Sequence, residues 1–267
     1  MDVRDRVDRA AARWSLTLGE PFPYSYASLA LPAVLPDGTQ AVLKVQFPHR
    51  ESDHEADALR LWDGDGAIRL IAADPVDHAL LLERCVPGTA LADSPGIDIV
   101  GVVIGLLPRL WVPASAPFTT LADEAAHWAD YLQDKWVAAG RPFERRLLDA
   151  ALDAIRTLPS GQGPQVLLNQ DLHAGNVLAS AREPWLVIDP KPLVGERECG
   201  IAPVVRDAAP GEVRHRFDRL TAELGLDRDR ARGWTIGQTI AWCFDGGGVL
   251  AGHLEVARRL LPGSGIR

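Results

Sequence analysis

The stretch Leu167-Leu168-Asn169-Gln170-Asp171-Leu172-His173-Ala174-Gly175-Asn176-Val177-Leu178 decides how the rest of the chain is read. Asp171 and Asn176 have four residues between them, the D-x-x-x-x-N spacing of a phosphotransfer catalytic loop. After Asn176 an apolar run, Val177 to Ala179, leads to a turn-like Ser180 to Pro184 and then to Trp185-Leu186-Val187-Ile188-Asp189. Read as a hairpin, the chain runs out and returns, so Asp189 is expected beside Asn176 across the ladder. An amide oxygen and a carboxylate at one point suit magnesium, which takes few protein oxygens and completes its shell with water and phosphate. Asp171 is then placed to accept a hydroxyl proton. Asp and Asn are common in ordinary loops because they bond their own backbone. The returning Asp189-Pro190 separates this segment from such a loop, and His173 is read as a support of it.

Upstream, an N-terminal helix precedes strands Ser28 to Leu35 and Thr39 to Val45, joined by the turn signal Pro36-Asp37-Gly38. A helix is expected from about Asp53 to Trp62, then strands Ile68 to Ala72 and Ala79 to Glu83. Val86-Pro87-Gly88 punctuates the chain. Beyond it, helical patterns run over Ile97 to Leu107, Thr119 to Ala139, Phe143 to Leu158, Gly211 to Leu224, Asp227 to Gly246 and Ala251 to Leu261. The apolar run Ile99 to Leu107 is expected to stop at Pro108 and is too short to cross a bilayer. This order predicts an α+β, bilobal architecture. A small antiparallel-sheet lobe occupies residues 1–84 and a larger, mainly helical lobe residues 85–267. A cleft between lobes is a common place for a ligand.

In the second strand Val42 and Lys44 face one way and Ala41, Leu43 and Val45 the other. On the next helix Glu55, Ala58, Leu59 and Trp62 fall at i, i+3, i+4 and i+7, which puts one carboxylate on the apolar stripe. A buried carboxylate needs a partner, and Lys44 is the nearest basic candidate. The rival is a capping box, Ser52-x-x-Glu55, in which Glu55 turns back to the Ser52 amide. Lys191, close to Asp189, either steadies phosphates or pairs with that aspartate, the rival being a weak surface ion pair; Glu198 stands on the other side of Gly195.

The 267 residues carry 28 basic and 36 acidic side chains, a net charge of −8, and 47% of them are hydrophobic. That composition builds a core and excludes disorder as the main state. No basic run is present to neutralise nucleic-acid phosphates. Cys85, Cys199 and Cys243 lie far apart with no C-x-x-C pair, and the charged start has no apolar signal core; a cytoplasmic location is expected. Oligomeric state is not written in the sequence.

Gln170-Asp171-Leu172-His173-Ala174-Gly175-Asn176-Val177-Leu178, with Val187-Ile188-Asp189-Pro190-Lys191-Pro192 and Val194-Gly195 after it, resembles the aminoglycoside/hydroxyurea antibiotic-resistance kinases, a group of the protein-kinase-like superfamily that includes streptomycin 6-phosphotransferases. The resemblance covers most of the chain. It implies a bilobal protein-kinase-like fold, with Asp171 as catalytic base and Asn176 and Asp189 as magnesium ligands. It further implies Lys44, supported by Glu55, on the nucleotide phosphates, and Glu83-Arg84-Cys85 as the connection whose backbone meets adenine. The implied donor is ATP, or GTP, with Mg2+, and the implied acceptor is a hydroxyl of a small molecule, aminoglycoside-like and most simply streptomycin-like. A kinase of another natural product or metabolite, a nucleotide-binding regulator and a metal-dependent hydrolase using Asp171, His173 and Asp189 are the rivals; a zinc hydrolase brings more His or Cys ligands together.

Two departures from the group stand out. Asn169-Gln170 replaces the His-Gly that many relatives carry before the aspartate, and a positive φ at Gln170 would be strained. Pro23-Tyr24-Ser25-Tyr26-Ala27-Ser28 stands where a glycine-rich loop is expected, so amides or the Ser25 and Ser28 hydroxyls are left to cover phosphates. Acceptor selection falls to the helical part. Asp123, Glu124, Asp130 and Asp245 are its candidate acids for a cationic aminocyclitol, and Trp128, Trp136, Trp234 and Trp242 its candidate walls, set against the ordinary reading of such residues as solvated or core.

Overall fold

The computed structural model describes residues 2–23, 27–47, 49–246 and 248–262. In chain order the first elements are α1 (Val3–Trp14), β1 (Thr17–Leu18), β2 (Ser28–Val34), β3 (Gln40–Gln46), α2 (Glu55–Trp62), β4 (Leu70–Asp74), β5 (Ala79–Glu83) and β6 (Pro87–Ala90). There follow α3 (Ile99–Leu110), α4 (Leu121–Ala138), α5 (Arg145–Thr157), β7 (Val166–Asn169), β8 (Val177–Ser180), β9 (Trp185–Val187) and β10 (Pro192–Gly195). The chain closes with α6 (Ala202–Arg206), α7 (Val213–Glu223), α8 (Arg228–Ala241), the short strands β11 (Phe244–Asp245) and β12 (Gly248–Val249), and α9 (Ala251–Leu260). No helix among the described residues is long and apolar enough to cross a membrane.

Two compact units result: residues 1–97 with 175–192, and 98–174 with 193–267. This division differs from a single cut after residue 84. Residues 85–97 and the hairpin of β8 and β9 go with the first unit because β6 pairs with β8, Ile68 N–H donates to the Val187 carbonyl at 3.0 Å, and Arg182 reaches Glu83.

The first unit holds an antiparallel sheet in the order β1-β2-β3-β5-β4. The turn from β2 to β3 is closed by Asp37, whose Oδ1 accepts the Thr39 amide at 2.9 Å, and by Gly38 at φ 87°. Glycine meets no steric penalty there. One face of the sheet buries Leu31, Ala33, Ala41, Leu43, Val45 and Leu81 against Val7 and Ala10 of α1. On α2 the expected stripe is found: Glu55, Ala58, Leu59 and Trp62 are all buried.

In the second unit α5 packs on α8, which in turn packs on α9, and β7 pairs with β10. Here α3 continues through Pro108 to Leu110, beyond the expected stop. A proline so near the end of a helix forfeits one backbone bond, while Leu106, Leu107 and Leu110 remain buried. Helix α8 ends at Ala241, short of Gly246, because Phe244-Asp245 turns back on Gly248-Val249.

Candidate active site

In the first unit the site grows from the alternation of β3. Lys44, 7% exposed, lies under the sheet and meets Glu55, 1% exposed, at 2.8 and 2.6 Å. Its Nζ also donates to Asp189 Oδ1 at 2.5 Å. The capping-box alternative is not formed: the Ser52 hydroxyl donates to the His49 carbonyl, and Glu55 accepts from Lys44 and from Gln46 Nε2 at 2.6 Å. Burial draws the Lys44 ammonium down, but the charges of Glu55 and Asp189 outweigh it and raise it above the ordinary lysine value. Burial, reinforced by Asp189, pushes the Glu55 carboxyl up against the pull of Lys44 and Gln46. One cation therefore serves two carboxylates, and the deeper of the two is the one reluctant to ionise.

The hairpin forms as expected but its register is Val177↔Val187, with the Ile188 amide donating to the Asn176 carbonyl at 2.9 Å. Ile188, not Asp189, therefore stands opposite Asn176. Asp189 comes one step later, where φ is 49°, a left-handed backbone uncommon for a non-glycine residue and worth attention near a functional group. Its side chain is 48% exposed. The donor set on this hairpin is an amide oxygen and a carboxylate, hard oxygens that fit magnesium better than zinc. Among the described residues no group of three or more His, Cys, Asp or Glu is gathered for a metal. Lys191 Nζ lies 3.6 Å from Glu51 in the first unit; in the second, Glu198 accepts the Asp227 amide.

The side chain of Glu83 is already engaged: Arg182 forks onto it at 2.8 and 2.9 Å and the Arg69 amide donates at 2.9 Å. Burial pushes Glu83 up, but those donors outweigh it and hold it below the usual carboxylate range. Cys85 is buried, which pushes its thiol up to about 11. Residues 24–26, and with them Ser25, lie outside the described residues, whereas Ser28 is buried at the start of β2.

In the second unit the loop after β7 carries Asp171. Its amide donates to Asn169 Oδ1 at 3.0 Å, and the His173 amide donates to the Asp171 carbonyl at 3.0 Å. Gln170 is buried and does not have a positive φ, so the replacement of His-Gly by Asn169-Gln170 brings no backbone strain. The Asp171 carboxylate takes a hydrogen bond from Arg206 Nη2 at 3.2 Å. Arg206 was not legible as a site residue, since it lies 35 positions along the chain with no motif around it. Of the candidate walls, Trp128, Trp136 and Trp234 are core; Trp242 is half-buried with the Arg206 guanidinium 4.5 Å over its ring. Of the candidate acids, Glu124 is buried and Asp123, Asp130 and Asp245 are exposed.

The profile of the aminoglycoside/hydroxyurea antibiotic resistance kinases matches residues 13–246. The chain belongs to that family. It is 41% identical over 263 residues to a hydroxyurea phosphotransferase of Kitasatospora aureofaciens, covering 94% of this chain and 76% of that protein. It is 40% identical over 246 residues to a streptomycin 6-kinase of Streptomyces glaucescens, covering 88% of this chain and 80% of that protein. In fold it is similar to a choline kinase of Streptococcus pneumoniae, with a TM-score of 0.65 at 10% identity over 97% of this chain and 98% of that one. The fold is thus α+β and protein-kinase-like, and the family is one of phosphotransferases.

Proposed function

We propose that this kinase transfers the γ-phosphoryl group of ATP to a hydroxyl of an aminoglycoside-type antibiotic, streptomycin above all. The observation that carries the reading is the buried Lys44–Glu55 pair reaching Asp189 in a chain whose catalytic-loop spacing is intact. The 40% identity to a streptomycin 6-kinase supports the acceptor. The 41% identity to a hydroxyurea phosphotransferase supports hydroxyurea as a second acceptor.

The chain's own residues divide the work. Lys44, its charge secured by two carboxylates, binds nucleotide phosphates as a point charge. The backbone of Glu83-Arg84-Cys85 receives the base. Asn176 and Asp189 are the residues that would hold magnesium, which supplies charge neutralisation for phosphate oxygens when bound. Asp171 orients the acceptor hydroxyl and takes its proton, a contribution of about 10²–10⁴-fold. The remainder comes from positioning, because a loose phosphoryl transition state asks for little covalent help.

Acceptor-dependent ATP consumption tests the reading. With magnesium present, streptomycin is expected to stimulate ATP turnover well above the acceptor-free rate, and Asp171→Ala to lose that stimulation while a nucleotide-induced melting shift survives. Full stimulation in Asp171→Ala would refute the assignment of the base.

A further inference from the structure

A base at Asp171 has to be held at one angle to the acceptor hydroxyl. Asn169 and His173 fix the backbone of the loop, but they do not touch the Asp171 side chain through the bonds described above. A group that does is Arg206, the last residue of α6, whose side chain is 7% exposed. A cation so deeply withdrawn from water is costly unless its surroundings compensate. Its surroundings do so here. Nη2 meets Asp171 Oδ1 at 3.2 Å, Nη1 meets Gln238 Oε1 at 3.3 Å, and the guanidinium plane lies 4.5 Å above the Trp242 ring. A planar donor gripped by these groups has few rotamers left, so the direction of its bond to Asp171 is set in advance.

The next residue acts on the same loop. Asp207 Oδ2 accepts the Ala174 amide at 3.4 Å, so Arg206 and Asp207 grip residues 171–174 at a side chain and at a backbone amide. Trp242 is itself fixed from α9, where His253 Nδ1 bonds its carbonyl at 3.1 Å. Burial, with the nearby charge of Arg206, draws His253 down to about 4, which leaves it neutral with Nδ1–H as the donor. The charge beside Asp171 thus comes from Arg206 and not from this histidine.

We propose that Arg206 is a positioning residue for phosphoryl transfer, aiming the Asp171 carboxylate through its guanidinium while touching neither nucleotide nor acceptor. This rests on the reading of Asp171 as the base. Its mark is a loss in kcat without loss of ATP binding, because the interaction shapes the acid–base step alone. Misplacing a catalytic group by about 1 Å costs on the order of 10²-fold, and that is the size of the loss expected.

The experiment compares wild type, Asp171→Asn, Arg206→Lys and Arg206→Ala with streptomycin and hydroxyurea as acceptors. Nucleotide affinity and fold are followed separately by melting with and without ATP. Arg206→Ala should lose on the order of 10²-fold in kcat with KM for ATP and the ATP-induced melting shift unchanged. Millimolar guanidinium should restore part of the loss in Arg206→Ala and none in Asp171→Asn, and Arg206→Lys should retain an intermediate kcat. Arg206→Ala turning over within twofold of wild type while Asp171→Asn is dead would overturn the role of Arg206 and leave the base assignment standing. Losses in kcat and ATP binding together, with no response to guanidinium and no recovery in Arg206→Lys, would reduce Arg206 to a structural residue and overturn the proposal. Wild-type turnover surviving in Asp171→Asn, or no turnover of either acceptor by wild type, would instead remove the parent reading and this inference with it.

Discussion

Replacing Lys44 by methionine removes a cation shared by Glu55 and Asp189 while keeping the length and apolar stem of the side chain. Glu55 is 1% exposed, and of the donors that hold it Gln46 Nε2 is the one that survives. Removing one partner of a buried pair typically costs about 3–5 kcal/mol, because the remaining charge is stranded. In a chain of this size that corresponds to a fall in melting midpoint of about 6–20 °C. The penalty has a pH signature. Glu55 already sits above the ordinary carboxylate value, and the loss of Lys44 pushes it higher. A folded-state pKa raised above the unfolded one gives stability that is fully present below the unfolded value and lost as pH rises through the folded one. Lys44→Met is therefore expected to be least destabilised near pH 5 and most near pH 8. Adding Glu55→Gln should recover most of the loss, since the stranded charge goes with it. Thermal melts of the single and double variants across that pH range are the assay. A single variant within about 1 kcal/mol of wild type at pH 8, or a double variant no more stable than the single, would refute the claim that a buried ion pair anchors this part of the sheet.

Glu144 binds Arg258 at 2.8 and 2.7 Å and is held down at about 2, so its contribution is present above the unfolded carboxylate value and fades as pH falls toward 2. Glu144→Gln is expected to lower stability at pH 7 by less than about 1 kcal/mol, given solvent screening, and not at all near pH 2; equal loss at both would contradict the linkage. All three cysteines are buried, with burial pushing Cys85 to about 11, Cys243 to about 12 and Cys199 upward. A thiol reagent at neutral pH should react slowly with native protein and with all three after unfolding, and a rapidly titrating thiol in the native state would count against this packing. Chelation of divalent ions should stop turnover, with magnesium restoring it, and Asp189→Ala should raise the magnesium concentration required; an unchanged requirement would remove Asp189 from the ligand set.

Much of the fold could be read because local signals agreed with the tertiary result. The turn at Pro36-Asp37-Gly38, the period-2 pattern around Lys44 and the stripe Glu55, Ala58, Leu59 and Trp62 each dictate a local geometry, and together they bring Lys44 onto Glu55. Where the reading slipped, a nonlocal contact had decided the matter. Residues Pro87–Ala90 have no strand pattern of their own and become β6 through pairing with β8. Helix α3 passes Pro108 because its apolar face stays buried, and α8 stops at Ala241 because the strands that follow turn back on each other. The one-residue offset that sets Ile188 opposite Asn176 is invisible in spacing, since a hairpin's register depends on its turn. Gln46 and Arg206 escaped for the same reason. Each acts on a carboxylate that the sequence had singled out, but from a distance along the chain that no motif records.

On the proposed function, this chain moves a phosphoryl group from ATP to a hydroxyl by way of Asp171. Mass spectrometry of streptomycin after incubation with the enzyme, ATP and magnesium tests it most directly, run beside Asp171→Ala at equal concentration of folded protein. Wild type is expected to add one phosphoryl group to the antibiotic and the variant to leave it unmodified. An unmodified antibiotic with wild type, or equal phosphorylation by both proteins, would contradict it.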